Sequence, residues 1–148
     1  MMKLCIGMAL GLLVLSSSIK PVPASRVQGT YVMRHANGQI EVWIIYPNFE
    51  FEQAFYETSS NFEQKKSYLQ YRNHWSFEQS GYRTVLTFES SYSLIDYGTS
   101  KLLSTPEIGN AATADWIQIE SKGKKSARLE FADDIGYVAV REGGDVHP

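Results

Sequence analysis

Hydrophobic and polar residues alternate along most of this chain, which is the pattern of a β-strand with one buried face. The clearest stretch is residues 69–78, where odd positions carry Leu, Tyr, Asn, Trp and Phe and even positions carry Gln, Arg, His, Ser and Glu. Residues 82–89 alternate in the same way after a turn at residues 79–81. The two stretches therefore predict a hairpin with a short, glycine-containing loop.

The same pattern extends over the rest of the chain and predicts an all-β fold. Asn37 and Gly38 form a strong hairpin signal between the first two strands, and residues 59–67 predict a short helix. Residues 98–113 predict an ordinary loop, with a short helical turn or a lid over a barrel mouth as the alternatives. Eight or nine antiparallel strands joined by short turns favour an up-and-down barrel, with a β-sandwich as the alternative. The further predicted strands are residues 29–35, 40–46, 49–56, 92–97, 114–120, 126–131 and 136–141.

One predicted strand is apolar on both faces. Residues 42–46 read Val-Trp-Ile-Ile-Tyr, so some of these side chains need cover on the outside of the fold. This strand motivates a second functional hypothesis, a cell-envelope interaction module or inhibitor that binds a protein partner through loops or a sheet face. We expect Trp43 and Ile45 to be the outward residues.

The first 24 residues have the three parts of a secretory signal peptide, namely Lys3, an apolar run over residues 4–15, and small residues before Ser25. Cleavage before Ser25 is expected, with the serines at 16–18 as the alternative. The apolar run is shorter than the roughly 20 residues that span a bilayer, so no stable membrane span is expected after cleavage. Residues 25–148 then form a single exported domain, periplasmic or secreted.

Removal of this segment changes the charge and the cysteine content. The chain has 14 Lys and Arg residues and 16 Asp and Glu residues. Cleavage removes Lys3 and Lys20, so 12 basic residues remain against 16 acidic ones, and the formal charge becomes −4. An acidic surface argues against nucleic acid as a partner, because phosphates require clustered basic residues. The basic residues at 122–125 are interpreted as a hairpin tip. Cys5 is the only cysteine, so the mature domain has neither disulfides nor thiol chemistry.

No motif in the sequence predicts a reaction, a metal or a cofactor. A Gly-x-Ser-x-Gly elbow and the histidine and cysteine spacings of metal sites are all missing. We expect His35, His74 and His147 to face solvent, and the acids at 133–134 to form a turn. A Ser–His–Asp arrangement needs no fixed spacing along the chain, so hydrolase activity stays a third alternative.

Short motifs at both ends of the domain resemble the lipocalin-like (calycin) barrels of exported bacterial proteins. Residues 29–31 read Gly-Thr-Tyr, similar to the Gly-x-Trp that opens those barrels, with Tyr31 in place of Trp. Arg141 is similar to the late arginine that packs over the first aromatic ring in that family and closes the barrel. The Phe-Glu-Phe at 49–51, Trp75 and residues 85–88 resemble its hairpin series. The resemblance implies that a small, largely apolar molecule binds inside the barrel.

Aromatic residues are the remaining candidates for a site. The chain has 3 Trp, 9 Tyr and 7 Phe, all after residue 24. In a barrel, inward side chains either fill the interior or line a cavity, so both a packed core and an amphipathic pocket remain open. In the pocket interpretation, tyrosine hydroxyls and Asn73 orient the ligand. The candidate pocket residues are Phe51, Phe55, Tyr71, Asn73, Trp75 and Phe77.

Overall fold

Eight antiparallel strands close into a barrel in the computed structural model, which describes residues 22–132 and 136–143. The order around the barrel is β1-β10-β9-β8-β5-β4-β3-β2, with β6 and β7 forming a separate two-stranded sheet. The predicted all-β barrel is confirmed, and the sandwich alternative is wrong. The strands are β1 Gly29–Arg34, β2 Ile40–Ile45, β3 Glu50–Tyr56, β4 Leu69–Ser80, β5 Arg83–Phe88, β6 Tyr92–Asp96, β7 Lys101–Ile108, β8 Ala112–Ser121, β9 Lys124–Ala132 and β10 Tyr137–Glu142.

Local turn chemistry explains the hairpins. Lys122 and Gly123 both have positive φ and join the paired residues Ser121 and Lys124, as a two-residue type I′ turn requires. The predicted hairpin tip at residues 122–125 is therefore confirmed. Between β1 and β2, the N–H of His35 donates to the carbonyl of Gln39, so the predicted hairpin there has a three-residue loop.

The predicted loop over residues 98–113 is wrong, because β7 occupies half of it and β8 begins at Ala112. β7 pairs with β6 and none of its residues is fully buried, so it has no apolar face that would give an alternating pattern. Pro106 is tolerated in such an edge strand because no second neighbour needs its N–H. The β6–β7 hairpin connects β5 to β8. The last residue of β5, Phe88, pairs with the first residue of β8, Ala112, at one end of the barrel. We call that end the mouth.

The barrel interior is aromatic and closely packed. Trp43 lies at the centre, with ring centroids 4.7 Å from both Phe88 and Phe131 and 5.5 Å from Phe51. Such pairs add about 0.5–1.5 kcal/mol each beyond the burial of their area. The predicted orientation of β2 is therefore wrong, because Trp43 and Ile45 point inward and are 1% and 2% exposed.

The outer face of β2 is covered by the chain itself. Val32, Val42 and Ala54 form a second apolar cluster, and Phe62 packs against it. Phe62 belongs to α2, Ser59–Glu63, the short helix predicted from the sequence, and the side chain of Thr58 accepts from the Asn61 N–H to begin it. The apolar outer face that motivated an interaction module thus has its cover within the chain.

Several sequence predictions lie outside the described residues. They concern most of the predicted signal peptide, including Cys5, the turn at Asp133 and Asp134, and His147. Within the described part of the chain, no helix has the length and apolar character that a membrane-spanning helix needs.

Candidate functional site

A cavity of about 440 Å³ lies at the mouth, between the barrel interior and the β6–β7 hairpin. Its barrel wall is aromatic, and its hairpin wall mixes apolar and polar side chains. We call it the mouth cavity. Its lining includes Trp43, Ala112, Phe131 and Tyr137 from the barrel, Ser93, Ile95, Asp96, Tyr97, Leu103, Glu107 and Ile108 from the hairpin, and Ser91 and Gly109 from the flanking segments.

The hairpin wall is fixed to the barrel through Gln53. This fully buried side chain donates from Nε2 to the carbonyl of Tyr92 and accepts the Tyr92 N–H at Oε1, both over 2.8 Å. One amide therefore pairs with both backbone groups of a residue at the start of β6, as a neighbouring strand would. A second contact comes from Gln39, which donates to the carbonyl of Ser104 in β7 over 2.8 Å. The hairpin wall of the cavity is therefore fixed to the barrel wall by hydrogen bonds at both of its strands.

A fully buried carboxylate, Glu41, lies behind the barrel wall. Oε1 accepts from the Trp43 Nε1–H over 2.7 Å and from Gln53 Nε2 over 3.4 Å. Oε2 accepts from the Tyr137 hydroxyl over 2.7 Å and lies 3.1 Å from His35 Nε2. Removing a carboxylate from water is costly unless donors replace the water, and here four surround it. The expected solvent-facing position of His35 is wrong, since its side chain is 5% exposed; His74 is exposed as expected.

The negative charge of Glu41 reaches the phenols that line the cavity. Burial raises the pKa of Tyr97 to about 12, and the charge of Glu41 adds to the shift. Burial, followed by the same charge, raises the pKa of Tyr137 well above its ordinary value. The Ser93 hydroxyl lies 3.3 Å from the Tyr137 hydroxyl and accepts the Ile95 N–H. A connected row of polar groups therefore leads from the cavity to Glu41.

This network does not have the geometry of a Ser–His–acid site. A Ser–His–acid site needs its serine on the imidazole, but Ser93 reaches the network through Tyr137. The carboxylate oxygens of Glu41 are engaged by donors and do not face the cavity. Among the residues that the structure describes, no three His, Cys, Asp or Glu side chains come together as metal ligands.

The six residues predicted to form a pocket lie elsewhere in the interior. Phe51, Phe55 and Trp75 are at most 2% exposed and pack among other side chains. Phe77 stacks with Phe49, with ring centroids 6.3 Å apart. None of the six lines the mouth cavity, so the cavity lies on a different part of the barrel wall.

Tyr71 and Asn73 are bonded to the protein. Asn73 donates to the Tyr71 hydroxyl over 2.9 Å and to the carbonyl of Glu89 over 2.8 Å. The ring of Tyr71 meets that of Tyr92 edge to face at 5.2 Å. The polar position that suggested a ligand contact is therefore used to hold the chain that leads from β5 into the hairpin.

The two residues named for barrel closure meet at the opposite end. The guanidinium of Arg141 lies 5.3 Å from the ring centre of Tyr31 and donates to its hydroxyl over 2.8 Å. That hydroxyl also accepts from Trp116 Nε1 and donates to the carbonyl of Val27 in α1, Ala24–Val27. Burial raises the pKa of Tyr31 despite the opposing charge of Arg141. This cluster closes the lower end of the barrel.

A second hollow, of about 470 Å³, lies beside this lower end. Its lining includes Tyr82, Thr84 and Trp116, and Val22 forms part of the wall. Val22 belongs to the predicted signal peptide, so cleavage before Ser25 would remove that wall. Tyr82 is 91% exposed at a hairpin tip. The mouth cavity is the better candidate, because its walls belong to the barrel and to a hairpin bonded to it.

Glu41 is the residue that sequence reasoning missed. It lies two positions before Trp43 and therefore shares its strand face, but the two-sided apolar character of β2 hides which face is inside. Once Trp43 and Ile45 are known to point into the barrel, strand alternation places Glu41 on the same inward face.

A comparison of this chain with known protein families, with curated proteins and with solved structures finds no match.

Proposed function

We propose that this chain is an exported, lipocalin-like binding protein that holds a small amphipathic molecule in the mouth cavity. The observation that carries the proposal is the cavity itself. Its volume of about 440 Å³ falls within the roughly 300–1,000 Å³ of small-molecule sites. It also has the composition of such sites, with aromatic rings on one wall and a few polar groups, such as Ser93, that give a ligand its orientation.

The contacts around the cavity support a role in binding. Gln53 and Gln39 hold the hairpin in place, so the cavity exists before a ligand arrives and little ordering has to accompany binding. Edge-to-face contact between Tyr97 and Tyr137, at 5.8 Å, joins the two walls. A cavity with held walls is preorganised for a ligand.

Export is proposed from the sequence pattern of residues 1–24 alone. Cleavage before Ser25 would remove Val22 and Ala24, which pack against the core. The carbonyls of Arg26 and Val27 accept from Arg141 and Tyr31, and both residues follow the predicted cleavage point. Loss of residues 1–24 therefore leaves those two hydrogen bonds in place. Sequencing the N-terminus of the protein recovered from outside the cytoplasm tests this part, with Ser25 expected as the first residue.

Native mass spectrometry of protein purified from its own host tests ligand binding. We expect a small-molecule adduct that solvent extraction removes. Ala112 lines the cavity, so Ala112→Phe is expected to fill it and abolish the adduct. Ala36→Phe, at an exposed loop position, adds the same ring away from the cavity and is expected to keep it. An adduct that survives Ala112→Phe in a folded protein, or no adduct at all, would overturn the proposal.

A further inference from the structure

The charged residues of the mouth cavity are acidic. Among the described residues that line it, Asp96 and Glu107 are the charged ones, and Lys, Arg and His do not occur. Asp96 already caps a turn, accepting from the Gly98 N–H over 2.9 Å and the Thr99 hydroxyl over 2.7 Å. Glu107, exposed at the rim, is therefore the acid placed to meet a ligand charge.

The cavity also presents aromatic rings. Trp43, Tyr92, Tyr97, Phe131 and Tyr137 all contribute to its lining. The face of an aromatic ring carries negative electrostatic potential and attracts a cation, with Trp and Tyr among the best. Rings from both the barrel and the hairpin surround the same space, so a cation inside it can contact more than one of them.

Glu41 strengthens this preference from behind the wall. Trp43 and Tyr137 donate their N–H and O–H to the same buried carboxylate, each over 2.7 Å. A hydrogen bond to a charged acceptor polarises the donor, which adds electron density to the two rings that face the cavity. The raised pKa of Tyr97, in which the charge of Glu41 is the second cause after burial, reports the same negative field at the hairpin wall.

From these observations we infer that the mouth cavity selects a ligand that joins a cationic, amine-type group to an apolar body. The inference rests on the proposed function and adds the charge of the ligand. The cationic group meets the half-exposed ring of Tyr97 and the carboxylate of Glu107, with the buried rings of Trp43 and Tyr137 in the wall behind them. The apolar body packs against Ile95 and Phe131. An anion would meet the acidic rim and the same negative ring faces, and is therefore disfavoured.

Three small probes of similar shape test the inference by isothermal titration calorimetry on the exported chain. Benzyltrimethylammonium is the cation, dimethylbenzylcarbinol is the neutral near-isostere, and phenylmethanesulfonate is the anion. We expect the cation to bind at least about tenfold more tightly than the alcohol, which corresponds to about 1.4 kcal/mol, and the sulfonate to bind least. Tyr97→Leu is expected to weaken binding of the cation about tenfold, whereas Tyr97→Phe, which keeps the ring, is expected to change it little.

A matched pair of charge variants distinguishes an effect of the cavity on cation binding from an effect of the protein's net charge. Glu107→Gln is expected to weaken cation binding several-fold. Glu78→Gln, on the exposed face of β4 near the lower end, makes the same change in net charge and is expected to have no effect. Equal losses in the two variants would overturn the inference, because they would assign the attraction to net charge.

The probes also distinguish failure of this inference from failure of the proposed function. If the alcohol or the sulfonate binds as tightly as the cation and Ala112→Phe abolishes binding of all three, the cavity binds amphipathic molecules and the charge preference is overturned. If no probe binds and no adduct accompanies the native protein, both are overturned.

Discussion

The hydroxyl of Tyr137 donates to the carboxylate of Glu41 over 2.7 Å inside the barrel, although 96 residues separate them along the chain. The bond joins β10 to β2, which lie on either side of β1 in the barrel. It places a negative charge directly behind the rings that face the mouth cavity.

Glu41→Gln is expected to lower the free energy of unfolding by about 2–4 kcal/mol. The variant keeps the volume of the side chain, but it replaces one carboxylate oxygen by an amide nitrogen, which donates. Two of the donors around Glu41 therefore lose their acceptor in a fully buried site. Urea denaturation at neutral pH measures the change. Glu120→Gln, exposed on β8, is the control and is expected to stay within about 0.5 kcal/mol of the wild type. Equal stability of the two variants would contradict the assigned role of Glu41.

Alkaline pH is expected to destabilise the fold. Tyrosine in the unfolded chain loses its proton near pH 10, whereas folded Tyr97 has a pKa of about 12 and that of Tyr137 is also raised. Between these values the unfolded state binds fewer protons than the folded state, so stability is complete below about pH 10 and falls as the pH rises toward 12. Because Tyr97 is half exposed, Tyr137 is expected to contribute more.

Ultraviolet absorbance of tyrosinate, recorded together with near-ultraviolet circular dichroism, measures this titration. Tyr97→Phe and Tyr137→Phe are each expected to remove one late-titrating phenol. Titration of all nine tyrosines near pH 10 with the fold intact would contradict the raised pKa values of Tyr97 and Tyr137.

Gln53→Met is expected to release the β6–β7 hairpin while the barrel persists. The Met side chain fills a similar volume but leaves the N–H and carbonyl of Tyr92 without their partner, at a cost of about 1–3 kcal/mol. Hydrogen exchange is expected to show faster exchange in β6 and β7 and little change in β1–β5. Gln79→Met removes a comparable bond to the carbonyl of Gly81 and is expected to leave the hairpin amides protected. Uniform loss of protection in Gln53→Met would mean that the hairpin is not held separately.

Gly29→Ala is expected to loosen the closed end of the barrel by about 2 kcal/mol. Gly29 has a φ of +144°, and an added Cβ would lie 3.1 Å from Nε of Arg141, the side chain that covers Tyr31. Gly81, with a φ of +60°, has open space where a Cβ would be added, so Gly81→Ala is expected to cost about 1 kcal/mol from backbone strain alone. Thermal unfolding compares the two, and a smaller loss for Gly29→Ala would contradict the close approach of Arg141.

Much of the fold follows from residues that are close in sequence. The alternation at residues 69–78 predicts β4, and the turn residues Lys122 and Gly123 predict the tip of the β8–β9 hairpin. Local pattern fails where a strand has two apolar faces or no buried face. The inward face of β2 could not be assigned because Val42 and Trp43 are both apolar, and β7 was missed because none of its residues is fully buried.

The candidate site was harder to predict because its parts come from distant segments. The predicted pocket row Tyr71, Trp75 and Phe77 belongs to one strand, and a single strand does not show whether the space in front of it is filled. That depends on Trp43, Phe51 and Phe88 from three other strands. One wall of the mouth cavity is a hairpin of which the sequence predicted β6 as a strand but not β7.

The sequence by itself determined the antiparallel strands of the barrel and most of their turns, because alternation and positive-φ turn residues act over a few positions. Tertiary structure alone decided that the interior is packed with aromatic rings, that Glu41 is buried among four donors, and that the β6–β7 hairpin leaves a cavity at the mouth. These features depend on which side chains meet across the closed barrel. Closure is set by the pairing of β1 with β10, near opposite ends of the described chain.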